Sequence, residues 1–159
     1  MNAAINKWKL MEQNTVELIR SGTYEMIEYE ILVSKKNMNI PYKNKSETVY
    51  PITEAVRRND PRIVKLLLTE CSVDLNVFDK ETTCGCGVGA SRMISPLAEA
   101  LTQQNEEIAL MIIKHHNDVK KDVGLVSSSS FDGDTEKTPL DLANEWGNKF
   151  VLAKLKEKL

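Results

Sequence analysis

Cysteine and histidine are scarce in this sequence, and their scarcity narrows the chemistry open to the chain. Only three cysteines and two histidines occur among 159 residues. An odd number of cysteines does not fit a disulfide-stapled scaffold and favours a reducing compartment. We therefore expect a cytoplasmic protein whose fold rests on a hydrophobic core, for which a content of 42% apolar residues is sufficient.

The sequence also lacks an excess of either charge and any long apolar run. Its 21 basic and 23 acidic residues are mixed throughout and give a net charge of −2, so we expect no nucleic-acid partner. Its apolar stretches are far shorter than a membrane span, and residues 1–8 lack the apolar region of a signal peptide. These features predict a soluble monomer that does not associate with membranes.

Sequence patterns of common catalytic sites are missing as well. The chain has no Gly-x-Ser-x-Gly, no phosphate-cradling loop before Lys-Ser/Thr, and no His-Glu-x-x-His. The alternating Gly85, Gly87 and Gly89 lack the strand-to-helix context of a dinucleotide site. We therefore predict no catalytic residues, no enzyme activity and no cofactor.

The most informative feature present is a repeated segment. A proline, an aliphatic residue directly after it and an alanine four residues on occur at Pro51, Pro96 and Pro139. Proline fits the first turn of a helix, where its missing N–H is not needed. Ser95 and Thr138 can cap two of these helices with their hydroxyl groups. Each segment thus predicts a helix start, and their recurrence predicts a stacked array.

A second helix is predicted after a tight turn in each segment. Asn59 and Gly147 can take the left-handed conformation that ends one helix, while Asp60, Asn105 and Asn148 can cap the next. Apolar residues three and four positions apart follow in two segments and should face a common neighbour: Ile63, Val64, Leu66–Leu68, Ile108 and Leu110–Ile113. Within this set, Leu67 and Ile112 should be fully buried.

These segments resemble ankyrin repeats, whose pattern is Thr-Pro-Leu-His-x-Ala, a turn, a leucine-rich helix and a hairpin. The motif histidine is missing, since Thr53, Ala98 and Asp141 stand in its place. The resemblance implies an all-α ankyrin-repeat solenoid that forms a single domain over residues 1–159. Its units would span approximately residues 14–47, 48–92, 93–135 and 136–159.

The repeat spacing exceeds that of an ankyrin repeat, so insertions are expected in the hairpin loops. Phe78–Arg92 and Lys120–Lys137 are rich in glycine, serine or both, which favours long flexible loops. Such loops can be tolerated insertions, because loop length costs little free energy. They can also carry binding residues on a rigid scaffold.

Cys84 and Cys86 in the first insertion allow an alternative function, namely a metal- or redox-responsive regulatory protein. Paired zinc ligands usually have two residues between the cysteines, whereas here only Gly85 separates them. We therefore predict no metal site and regard the thiols as incidental.

The resemblance implies a non-catalytic protein–protein interaction module, either an adaptor or scaffold or a stoichiometric inhibitor. The partner protein would bind in a concave groove and at the hairpin loops, through residues of the first helices and through aromatic side chains: Glu54, Arg57, Arg58, Glu99 and Gln103, with Tyr50, Phe78 and Trp146. Any charged residue of this set could instead belong to a solvated helix face, and Trp146 could pack against the preceding unit.

Overall fold

Four helix pairs dominate the fold in the computed structural model, which describes residues 14–85, 88–130 and 133–159. The pairs are α1 (Thr15–Ser21) with α2 (Tyr24–Leu32), α3 (Pro51–Arg58) with α4 (Pro61–Glu70), α5 (Pro96–Gln103) with α6 (Glu106–His115), and α7 (Pro139–Trp146) with α8 (Lys149–Lys158). The first helices of successive pairs pack side by side, and so do the second helices.

The predicted helix boundaries are confirmed. Pro51, Pro96 and Pro139 each occupy the first turn of a helix. Ser95 accepts the N–H of Ala98, and Thr138 forms a capping box with Asp141. Asn59, Gln104 and Gly147 end the first helices with φ of 62°, 57° and 77°, and the side chains of Asp60, Asn105 and Asn148 cap the second helices.

A six-stranded antiparallel sheet joins the helix pairs. Its strands are β1 (Tyr42–Lys43), β2 (Glu47–Val49), β3 (Asp79–Gly85), β4 (Val88–Ile94), β5 (Leu125–Ser129) and β6 (Gly133–Lys137), paired in chain order. A single 3₁₀ turn, Val119–Lys121, precedes β5. Each connection between helix pairs therefore contributes two strands to one continuous sheet.

This sheet overturns the prediction of an all-α ankyrin-repeat solenoid, because the described residues form a mixed α/β fold. The prediction of long flexible loops at Phe78–Arg92 and Lys120–Lys137 is also wrong, since both segments are largely hairpin strands. The physical reason is cooperative pairing. Each hairpin alone would be marginal, but neighbouring hairpins satisfy one another's backbone groups across the sheet.

The strand register places the side chains of one sheet face in aligned rows. Glu47 lies opposite Glu81, Glu81 opposite Arg92, Arg92 opposite Ser127, and Ser127 opposite Thr135. Because side chains alternate between faces, these five share one face. We call it the groove face, since Glu47, Glu81 and Arg92 border the same pocket as residues of α1 and α3.

The core lies between the two helix layers. It contains Leu67 and Ile112, which are fully buried as predicted, and it reaches the base of the sheet at Ile94. The C-terminal pair is also anchored there, because Val151 and Leu155 are buried. Packing against this core therefore fixes the position of the sheet relative to the first helices.

Candidate functional site

A charged pocket lies where the groove face of the sheet meets the first helices. Its volume is about 270 Å³, and charged residues from both the helices and the strands dominate its lining. These are Arg20, Glu47, Glu54, Arg57, Asp79, Lys80, Glu81 and Arg92. We refer to this pocket and the adjoining groove face as the groove.

Arg57 is the centre of an ion-pair network at the bottom of the groove. Its guanidinium lies 3.2 Å from Glu54 Oε2, 2.8 Å from Asp79 Oδ2 and 3.7 Å from Glu99 Oε1. Arg20 Nε reaches the other oxygen of Glu54 at 3.0 Å. The helices α1, α3 and α5 and the start of β3 are thus tied together by charge.

The network changes the proton affinity of its members. Burial raises the pKa of the Asp79 carboxyl, although the N–H of Tyr50 and the guanidinium of Arg57 oppose this rise. Burial works against the charge on Arg57, but the surrounding Asp79 and Glu99 carboxylates outweigh it and raise the pKa of Arg57. Arg57 therefore stays charged and holds three carboxylates that would otherwise repel one another.

Several residues predicted to contact a partner belong to this internal network. Glu54 and Glu99 are buried, and Arg57 has 31% of its side chain exposed. Arg58 donates hydrogen bonds to the carbonyl oxygens of Ile19 and Gly22. These side chains stabilise the stacking of the first helices, so little of Glu54 or Glu99 is available to a partner.

Gln103 and the three aromatic residues occupy different environments. Gln103 is exposed on α5, with its amide 3.3 Å from Glu99 Oε1. Tyr50 and Trp146 are half-buried and pack against the core, whereas Phe78 is exposed at the entrance to β3. Within the predicted set, Gln103 and Phe78 are thus the side chains most open to solvent.

The structure adds Arg20, Asp79 and Arg92, which sequence reasoning missed. Arg92 is half-buried in the wall of the groove, yet its side chain makes no hydrogen bond or ion pair within the described part of the chain. Asp79 and Arg92 lie in the segment that the sequence predicts to be a loop. The local sequence offers only a weak signal for a strand here, the two adjacent β-branched residues Thr82 and Thr83.

A second polar cluster joins the end of α6 to β5 and is fully buried. His116 Nδ1 accepts the N–H of Asp118, so its Nε2 carries the proton and donates to Asp122 Oδ2 at 2.8 Å. Asp122 Oδ1 accepts the N–H of Gly124. Both side chains have 0% exposure, so this His–Asp pair fixes a turn and has no access to a substrate.

The described ranges contain no cluster of potential metal ligands. No group of three or more His, Cys, Asp or Glu side chains in residues 14–85, 88–130 and 133–159 could hold a metal ion. Cys86 lies outside the described residues, and the backbone of Cys84 lies in β3. The remaining thiol, Cys71, is half-buried, and burial raises its pKa, which lowers its reactivity.

Comparison with known proteins gives no family assignment. No protein-family model matches the chain, and no curated protein shows significant sequence similarity to it. The resemblance to ankyrin repeats therefore has no support from a family model. Within the described ranges, no helix combines the length and apolar character needed to cross a membrane.

Proposed function

We propose that the chain is a non-catalytic interaction module that binds another protein along the groove and the hairpins, as an adaptor or a stoichiometric inhibitor. In this proposal it acts in the cytoplasm as a monomer. The observation that carries it is Arg92, a half-buried residue whose guanidinium has no partner in the described residues. Its planar donors suit a carboxylate supplied by another protein.

The surroundings of Arg92 favour a partner of mixed charge. Glu81 lies directly opposite Arg92 on the neighbouring strand, and Glu47 lies one strand further. A carboxylate of the partner at Arg92 would have to be accompanied by basic groups near Glu81 and Glu47, because like charges would repel there. Exposed Gln103 and Phe78 extend the surface on the helix and hairpin sides.

The test compares wild-type protein with Arg92→Glu and with Lys65→Glu as a matched control. Lys65 is exposed on the second helix α4 and lies outside the groove. Proteins captured from the native lysate are identified, and the affinity of each candidate for the three variants is then measured at several salt concentrations. We expect Arg92→Glu to weaken binding of the true partner by about 2 kcal/mol, which is a loss of affinity of roughly 30-fold.

Lys65→Glu should leave this affinity unchanged. Loss of binding in Lys65→Glu with normal binding in Arg92→Glu would place the interface on the second helices and would refute the groove. Arg57 and Arg58 are unsuitable for this test, because both hold internal acceptors that would be left without donors.

A further inference from the structure

Strand β6 leaves one edge of the sheet open in the described part of the chain. It pairs with β5 along its whole length, from Lys137 opposite Leu125 to Gly133 opposite Ser129. It is also the last strand in the sheet order, so its other edge has no neighbouring strand there. The first four of its five residues are exposed. Such an edge is a template for another extended segment.

The charges of β6 divide between its two faces. Lys137 lies on the groove face, and its ammonium is 2.8 Å from Glu145 Oε1, which neutralises it. Asp134 and Glu136 lie on the opposite face. Asp134 accepts a hydrogen bond from the neutral Ser128, and Glu136 makes no ion pair in the described residues.

No cation lies next to these carboxylates along their cross-strand rows. Glu136 is opposite Val126, Val126 is opposite Met93, and Met93 is opposite Lys80. Lys80 is thus three strands away, at roughly 14 Å for strands spaced about 4.8 Å apart. The edge therefore presents two carboxylates, two residues apart, that the sheet itself does not neutralise.

A second copy of the chain is a poor occupant of this edge. Two-fold antiparallel pairing places residues of the same face opposite one another. When the two-fold axis passes beside Thr135, Asp134 of each copy lies opposite Glu136 of the other copy, so two such acidic pairs form. Centred on Asp134 or Glu136, the pairing puts that carboxylate opposite itself. Every two-fold register that pairs three or more residues of β6 thus brings like charges together, which is destabilising.

We propose that β6 binds an extended segment of a partner protein by strand addition, and that the segment carries lysine or arginine at two positions separated by one residue. Backbone hydrogen bonds to the open edge would supply the pairing, and the two cations would lie directly opposite Asp134 and Glu136. Asp134 and Glu136 lie on the face opposite the groove face, so binding at this edge does not require the contact proposed for Arg92.

The probe is a capped heptapeptide with the sequence threonine, valine, lysine, threonine, lysine, valine, threonine. Amide chemical shifts of the 159-residue chain are used to monitor binding at low ionic strength. We expect the shifts to concentrate in residues 133–137 and in β5. In the double variant Asp134→Lys/Glu136→Lys, affinity should fall about tenfold or more, and the same peptide with glutamate in place of lysine should now bind.

Asp134 also holds Ser128, so the single variant Glu136→Lys is measured in parallel in case the double variant does not fold. This single variant should also lower the affinity for the lysine peptide. Glu70→Lys is the matched control. Glu70 is an exposed carboxylate at the end of helix α4, outside the strands of the sheet. Reversing its charge should leave the affinity for the peptide unchanged.

Two N-methylated peptides separate strand addition from simple charge attraction. One carries methyl groups on the amides of its two lysines, and the other on the amides of the three residues that alternate with them. In a strand pair only one of these sets faces β6, so one peptide should lose at least about tenfold in affinity and the other should bind like the parent. Equal binding of both, or shifts centred on the groove residue Arg92, would overturn the proposal.

Discussion

Replacing Arg57 by methionine removes the cation that holds Glu54, Asp79 and Glu99 together. Methionine preserves much of the apolar stem but supplies no donor. Removing one partner of a fully buried ion pair costs about 3–5 kcal/mol. Because 31% of the Arg57 side chain is exposed, solvent screening reduces this, and Arg20 still neutralises Glu54. We expect the free energy of unfolding to fall by about 2–4 kcal/mol near pH 7.

The effect should depend on pH through Asp79. Burial raises the pKa of Asp79 above its unfolded value, so the folded state binds this proton more readily than the unfolded state. The stability gained from protonation is present in acid and is lost as the pH rises through the folded pKa. Without Arg57 the pKa of Asp79 should rise further, so the deficit of Arg57→Met should be smaller at about pH 4.5 than near pH 7.

Urea unfolding followed by circular dichroism measures both quantities. Arg92→Met is the matched control, because Arg92 is half-buried in the same groove but has no partner in the described residues. Its free energy of unfolding should stay close to that of the wild type. If Arg57→Met were as stable as Arg92→Met near pH 7, or if its deficit were equal at both pH values, the network would not hold the helices as argued.

Three further predictions concern stability, and each is checked by urea or thermal unfolding. Gly124→Ala should be clearly more destabilising than Gly147→Ala. Both glycines have positive φ, but a Cβ at Gly124 would collide with the carbonyl oxygen of Lys137, whereas a Cβ at Gly147 would meet open space. Equal losses in the free energy of unfolding would contradict the close approach of β5 and β6. Leu67→Ala should cost about 2–5 kcal/mol through lost burial and a cavity, and a loss well below 1 kcal/mol would contradict its full burial. Asp122→Ala leaves His116 Nε2 and the Gly124 N–H without an acceptor and should lower the free energy of unfolding by about 2–4 kcal/mol. Asp118→Ala, which removes a partly exposed ion pair, should lower it much less.

The helical part of the fold could be predicted because its signals are local. Pro51, Ser95 and Asn105 act within one turn of their own helix, so the residue type alone indicates where a helix begins. The same holds for Asn59, whose left-handed conformation ends α3. Burial of Leu67 followed from the apolar spacing of its own helix.

The sheet could not be predicted in the same way, because strand pairing is decided by neighbours distant in sequence. Glycine and serine in residues 78–92 and 120–137 indicate turns when each segment is considered alone. In the fold, Ser127 pairs with both Arg92 and Thr135, so polar residues occupy the middle of a sheet. Weak local β-propensity was outweighed by pairing with two adjacent strands.

The groove shows the same limit at the level of individual side chains. Periodicity placed Glu54, Arg57 and Glu99 on the first helices, but it could not show that Asp79 reaches Arg57 across 22 positions of sequence. It also could not show that Arg92 lacks such a carboxylate. Which arginine stabilises the fold and which is open to a partner depends on strand register.

Site-specific photo-cross-linking tests the central proposal, binding along the groove, most directly. A photoreactive residue is introduced separately at Gln103 on the first helix α5 and at Lys65 on the second helix α4, both of which are exposed. After irradiation with the partner identified by the Arg92 comparison, the groove account predicts a covalent complex from position 103 and little or none from position 65. A covalent complex from position 65 alone would contradict it.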